Sequence, residues 1–393
     1  MIIKSLLLCV CVALSAGQYE GETCTNEETG AYGVCKRLKQ CEPALKALTQ
    51  TRKQPQLCSY VREDPVVCCV DNKPIEEEDH ESECAPLEAS RTQPKNGKKA
   101  HDMCVEYQKK YVYPCERSVS ILASYSRSNN CHHKTDKLVV AGEDAERYEF
   151  PHMALLGYGP LEAIQYLCGG SIISEDFILT AAHCSASAAG KLSHVAIGIL
   201  ARKETSDPSK IYKVKEFIQH PGFASPKKYN DIALLRTEKT MELTHLTVPA
   251  CLHTGEPVDA SQVLAAGWGY LHDKGGLSEN LQKAVLDKFP VEYCSVVYAE
   301  VRRLLTEGID ETTQYCYGDK GAPKPFQGKF ESKDTCQGDS GGPIVIKDSK
   351  IHCMYTIVGV TSFGRYCGYA DSPGLYTSVA PFLSWIEGIV WPN

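Results

Sequence analysis

The sequence predicts an all-β fold for the long C-terminal part of the chain, with a small disulfide-stapled module ahead of it. Three observations carry this. Short runs rich in β-branched or aromatic residues, Ser171–Ile173, Phe177–Thr180 and Thr356–Thr361, are each bounded by turn residues and read as strands. Twenty cysteines occur in 393 residues, and six of them (Cys24, Cys35, Cys41, Cys58, Cys68 and Cys69) crowd into residues 24–69. Near the C-terminus Pro381, Phe382, Trp385, Ile386 and Ile389 recur at helical spacing, with the proline suited to a first turn.

So many cysteines point to an oxidising compartment. The start of the chain agrees. Lys4 precedes an apolar run, Leu6 to Leu14, that ends in Ser15, Ala16 and Gly17. This reads as a secretory signal peptide over residues 1–17, too short to span a bilayer. The expectation is a secreted, extracellular protein with no membrane partner. If Cys9 and Cys11 leave with the signal, eighteen cysteines remain, an even number that permits full pairing. A net charge of −7 argues against a nucleic-acid partner.

Residues 18–70 form the small module. So short a segment buries little core and depends on disulfides. Six cysteines allow fifteen connectivities, and spacing alone does not choose among them. Adjacent Cys68 and Cys69 take different partners. Residues 71–138 read as a linker or pro-segment. An acidic run, Glu76 to Glu83, is followed by a basic one, Arg91 to Lys99, and both hold too few apolar residues to order themselves. Cys84, Cys104, Cys115 and Cys131 interrupt this stretch, and Met103 to Tyr113 is compatible with a short helix.

The chemistry lies in residues 139–393. Asp334–Pro343 places Ser340 in a glycine-rich turn, with Asp339 just before it and Asp334 six residues earlier. Backbone amides of such a turn can face a developing oxyanion. A serine hydroxyl needs a base, and Thr180-Ala-Ala-His183-Cys184 supplies His183. Asn230-Asp231-Ile-Ala-Leu-Leu235 supplies a carboxylate to orient it. Alone, His183 is equally a core histidine and Asp231 a turn residue. Metal binding by His183 and Cys184 lacks a supporting ligand spacing, so neither metal nor cofactor is expected.

The three segments together, in the order His, Asp, Ser, resemble the chymotrypsin-type serine proteases along all of residues 139–393. The resemblance implies two packed antiparallel β-barrels with the site between them. It makes Ser340 the nucleophile, His183 its base and Asp231 the orienter. Amides of Gly338 and Ser340 would form the oxyanion hole. Asp334 would lie at the floor of the primary pocket, with Gly364 and Gly374 in its walls and Phe363 in place of a usual tryptophan. A carboxylate there selects Arg or Lys.

Val139, Val140, Ala141 and Gly142, with Phe150-Pro151 downstream, match the start of a mature enzyme of this family. Cleavage between Leu138 and Val139 would free an ammonium that pairs with Asp339 and orders the site. Ala141 replaces a family glycine, and a cut after Lys137 is the neighbouring alternative. The N-terminal module, ending in a Cys-Cys pair, resembles the clip domain of arthropod proteases, and the apolar Leu138 resembles the Snake/Persephone-like subgroup. A generic stapled spacer is the plainer reading of the module. Family positions imply Cys24–Cys68, Cys35–Cys58, Cys41–Cys69, Cys168–Cys184, Cys294–Cys316, Cys336–Cys367 and Cys131–Cys251. The partners of Cys84, Cys104, Cys115 and Cys353 stay unassigned, and a linker-to-protease bridge through Cys353 is expected.

The expectation is therefore a secreted zymogen of a trypsin-like endopeptidase, acting in an arthropod extracellular cascade of innate immunity, in Toll signalling or melanisation. Its partners would be an upstream activating protease, a downstream protein zymogen and a serpin-type inhibitor. A developmental patterning protease and a non-catalytic clip-domain cofactor are the alternatives. The intact serine, histidine and aspartate motifs weigh against the last.

Overall fold

The computed structural model describes residues 19–26, 32–50, 52–70, 81–117, 125–133, 143–257, 259–270, 276–320, 324–326, 329–331, 338–364 and 373–392. They divide into two units, residues 1–84 with 115–126, and residues 85–114 with 127–393. The signal segment, Leu138, Val139, Asp334, Cys336 and Cys367 lie outside the described residues.

In the first unit four antiparallel strands run in the spatial order Thr23–Thr25, Tyr32–Arg37, Asp64–Cys69, Leu57–Val61. The helix Glu42–Gln50 connects two of them. Successive residues of a strand face opposite sides, and the adjacent cysteines use this. Cys68 shares one buried cluster with Cys24, Cys35 and Val66, whereas Cys69 shares another with Cys41, Ala44 and Val67. The disulfides follow: Cys24–Cys68, Cys35–Cys58 and Cys41–Cys69. A fourth, Cys84–Cys115, closes the end of the unit. Arg37, almost fully buried, is neutralised by Glu20 at 3.2 Å.

The second unit holds two closed six-stranded antiparallel barrels. The first runs Met153–Tyr158, Gln165–Ile172, Phe177–Thr180, Ala233–Thr237, Ile211–Gln219 and Gly190–Ile197, and the last strand pairs back to the first. The second runs Gln262–Gly267, Gln282–Lys288, Gln314–Gly318, Gly374–Ser378, Tyr355–Phe363 and Pro343–Lys347, again closing on its first strand. Closure removes exposed strand edges. Leu155, Ile172, Ile178 and Leu234 of the first barrel, and Val345, Ile357 and Val360 of the second, belong to one buried cluster. Trp268 lies in the same cluster, its indole N–H donating to the Leu200 carbonyl at 2.9 Å. The C-terminal helix Leu383–Val390 buries Ile386 and Val390.

Part of the stretch read as linker is folded. Lys99–Tyr107 is an α-helix continued by a wider π turn, Gln108–Val112. Asp102 in its first turn ties down the chain ahead of the helix, accepting from the amides of Asn96 and Gly97. Val105, Tyr107, Tyr111, Val112 and Tyr113 are buried with Val248, Ile351 and Met354 of the protease part. The charge runs ahead of it hid this short apolar segment, whose stability comes from tertiary packing more than from propensity.

The same packing corrects one expected pair. Cys251 bonds Cys104, not Cys131, and Cys131 bonds Cys353. Cys104 is on the helix laid against the Cys251–Leu252 strand. Cys131 follows Asn130, which is anchored on the carbonyls of Val112 and Tyr111. A linker-to-protease bridge does run through Cys353, and its partner follows from which sulfur the anchored chain presents.

Candidate active site

Ser340 lies in the turn that leads into the Pro343–Lys347 strand. Gly338 has φ +100° and Gly341 φ +78°, a backbone region that side chains disfavour. A Cβ at Gly341 would meet Thr180 and the Gly169 carbonyl. The turn is pinned on both sides. The Gly341 amide donates to the Thr361 carbonyl and the Thr361 amide to the Gly342 carbonyl, both at 2.8 Å. The Gly169 amide donates to the Ser340 carbonyl at 2.8 Å, and the Cys184 sulfur lies 3.6 Å from that same oxygen.

His183 sits on the short turn Ala182–Ser185 that follows the Phe177–Thr180 strand. The Cys168–Cys184 disulfide fixes this turn, and Gln219 Nε2 donates to the Ala182 carbonyl. That disulfide also occupies the sulfur that a metal site at His183 would need.

Asp231 is fully buried. Its Oδ2 lies 2.8 Å from His183 Nδ1, and its Oδ1 accepts from the His183 backbone amide at 2.9 Å. Ser362 Oγ donates to Oδ2 at 2.5 Å, and Lys228 Nζ is 3.5 Å from the same oxygen. Thr377 Oγ1 donates to the Asp231 carbonyl, which fixes the backbone as well. Burial opposes ionisation of this carboxyl. The charge and hydrogen bond of His183, the Lys228 charge and the Ser362 hydroxyl outweigh it and hold the group at about 2. Asp231 is therefore a firm carboxylate acceptor at neutral pH. With Nδ1–H donated to it, the imidazole leaves Nε2 to accept a proton.

Asp339 turns away from this pair. Its Oδ1 accepts from the Gly269 amide at 2.8 Å, and a Cβ at either Gly267 or Gly269 would collide with the carboxylate. Gly364 follows the Tyr355–Phe363 strand, and Gly374 opens the strand paired with Gln314–Gly318. Phe363 stands edge-on to Tyr298 at 5.2 Å.

Sequence reasoning missed three residues around Asp231. Ser362 and Thr377 arrive from strands more than 130 positions away, and no local motif marks them. Lys228 reads as one more charge in a polar loop.

A family profile described as trypsin matches residues 139–386. Serine protease snk of Drosophila melanogaster is 30% identical over 388 residues, spanning 96% of this chain and 81% of that protein. Serine protease Hayan of the same organism is 36% identical over 261 residues, 65% of this chain and 39% of that longer protein. Melanization protease 1, also from Drosophila melanogaster, is 34% identical over 291 residues, 66% and 68% of the two chains. The chain belongs to the trypsin family of serine proteases, in its insect clip-domain branch. It is a serine endopeptidase.

Proposed function

We propose that this protein is a secreted zymogen whose activated form cleaves after Arg or Lys, using Ser340, His183 and Asp231. Attack by Ser340 Oγ on the scissile carbonyl passes its proton to His183 Nε2, and the imidazolium returns it to the leaving amine. The buried, ionised Asp231 holds the tautomer this requires. The amides of Gly338 and Ser340 are the donors for the oxyanion. Asp334 reads the basic side chain, with Gly364 and Gly374 leaving room for it.

The observation that carries this reading is the bidentate grip of Asp231 on His183, at 2.8 and 2.9 Å, on a turn whose Cys184 sulfur lies 3.6 Å from the Ser340 carbonyl oxygen. Activation falls between Leu138 and Val139, and the new ammonium pairs with Asp339. The placement of Asp339 against Gly267 and Gly269, next to Ser340, supports a role as its receiver. The six-cysteine module and the processing step suit a protease working within an extracellular cascade, and relatives named for melanization and phenoloxidase activation favour an immune setting. An upstream protease would cut this chain, a protein zymogen would be its substrate and a serpin-type inhibitor would stop it. Among the described residues no helix is long and apolar enough to cross a membrane.

Two measurements on the activated enzyme test the proposal: N-terminal sequencing and a substrate-library profile. The expected results are a chain beginning at Val139 and cleavage after Arg or Lys. Preference for an apolar residue, or Arg cleavage at the wild-type rate by Asp334→Ser, contradicts the pocket assignment.

A further inference from the structure

Lys228 stands three residues before Asp231, and its ammonium is 3.5 Å from the oxygen that also accepts from His183 Nδ1. Its side chain is only 13% exposed. Burying an ammonium is costly unless a specific counter-charge meets it. Among the described residues, Asp231 is its ion-pair partner, and the Phe363 ring lies 5.8 Å from the ammonium. The backbone is held too. The Lys228 amide donates to the Leu304 carbonyl, and Gln314 Nε2 donates to the Lys228 carbonyl. A flexible surface lysine does not look like this.

We propose that Lys228 is a positioning residue of the catalytic site. It shares the single charge of Asp231 with His183, so the imidazolium formed in turnover is held less tightly than by a carboxylate that served it alone. The proposal rests on the triad reading above. Four groups face Asp231, each from a different element. His183 comes from the Ala182–Ser185 turn and Lys228 from the loop before Asp231. The hydroxyls of Ser362 and Thr377 come from two strands of the second barrel. Only the first two carry or gain charge, and both are cationic when protonated. One carboxylate thus serves two cations, and like charges on either side of it repel within the partly water-excluded site. Lys228 also secures the carboxylate in its ionised form, whose orientation fixes the imidazole.

The test uses the processed full-length enzyme as wild type, Lys228→Met and Lys228→Arg. Titration with a serine-directed acylating reagent comes first, and failure of the wild type there would count against the triad reading, not against this one. kcat/KM is then followed between about pH 5 and pH 9 on a peptide anilide with glycine before the basic residue, which keeps neighbouring side-chain preference out of the measurement. The acid limb of Lys228→Met should move up by about one pH unit, while Lys228→Arg stays within a few tenths of a unit of the wild type. An acid limb in Lys228→Met that coincides with the wild type overturns the proposal. So does a rise in KM with the limb unmoved, which would make Lys228 a substrate contact. If Lys228→Met does not fold, Lys228→Gln carries the same expectation. Failure of both neutral variants to fold, with Lys228→Arg active, would leave Lys228 a structural residue only and overturn the idea.

Discussion

Replacing Asp231 with Asn changes one oxygen into an amide at the most constrained atom of the site. His183 Nδ1, Ser362 Oγ and Lys228 Nζ all converge on Asp231 Oδ2, while Oδ1 takes the His183 amide. In the variant the amide oxygen stays with the His183 N–H, so Nδ2 faces Nδ1. That nitrogen must then accept, the ring proton moves to Nε2, and the imidazole no longer receives the serine proton. The expected loss in kcat is ~10⁴-fold at neutral pH. Stability falls as well. The carboxyl is held at about 2 against an ordinary 3.8, worth ~2 kcal/mol at neutral pH. Its folded pKa is depressed, so this contribution is present above about pH 4 and disappears as the pH falls through 2. Lys228 meanwhile loses its counter-charge. Together these predict a melting temperature lower by several degrees, at ~2–4 °C per kcal/mol for a domain of this size. The assay is turnover of an Arg-anilide peptide by the processed enzyme, alongside active-site titration and thermal unfolding. A folded Asn variant retaining more than about a tenth of wild-type kcat would refute the tautomer argument.

Gly267→Ala puts a methyl where the Asp339 carboxylate sits, so kcat/KM should drop by ~10–100-fold with the circular dichroism spectrum unchanged; undiminished activity would show that this carboxylate tolerates displacement. His152 is fully buried, and burial, with the charge of His133, pushes it down to about 3, below its unfolded 6.5. The unfolded chain therefore binds more protons between those values, and stability falls as pH drops from 6.5 towards 3, by at most ~5 kcal/mol. His152→Phe should flatten that slope in pH-dependent denaturant titrations, and an unchanged slope would count against it. Finally, Cys104–Cys251 and Cys131–Cys353 both join the pro-segment to the protease part. The enzyme cut after Leu138 should run as one species unreduced and two species reduced. Cys104→Ser alone should not release the N-terminal chain, because the second bridge remains.

Much of the site was legible because its chemistry is written in short local stretches. Ser340 needs glycines around it, His183 needs the disulfide-braced turn beside it, and Asp231 stands just before the buried strand Ala233–Thr237. Each requirement leaves a recognisable run of residues. The barrels were legible in class, since the β-branched runs are strands, but their closure rests on pairings such as Leu192 with Tyr158 and Phe363 with Leu375, which no periodicity reports. What surrounds Asp231 was hidden for the same reason: Ser362, Thr377 and Lys228 meet it only through the fold. The pro-segment misled in the opposite direction. Its charges suggested a solvated tether, yet Val105, Tyr107, Tyr111 and Val112 of a helical stretch are buried in one cluster and carry Cys104 to Cys251. Cysteine spacing does not tell which sulfur such a helix delivers, and the pairing assigned to Cys131 failed there.

Catalysis requires above all that Ser340 be an activated nucleophile in the processed chain. Labelling that chain with a fluorophosphonate at neutral pH, then mapping the modified peptide by mass spectrometry, tests this directly. A single adduct on Ser340, lost when His183 is replaced by alanine, is the predicted result. An unlabelled Ser340 in folded, processed protein, or an adduct at a different serine, would contradict it.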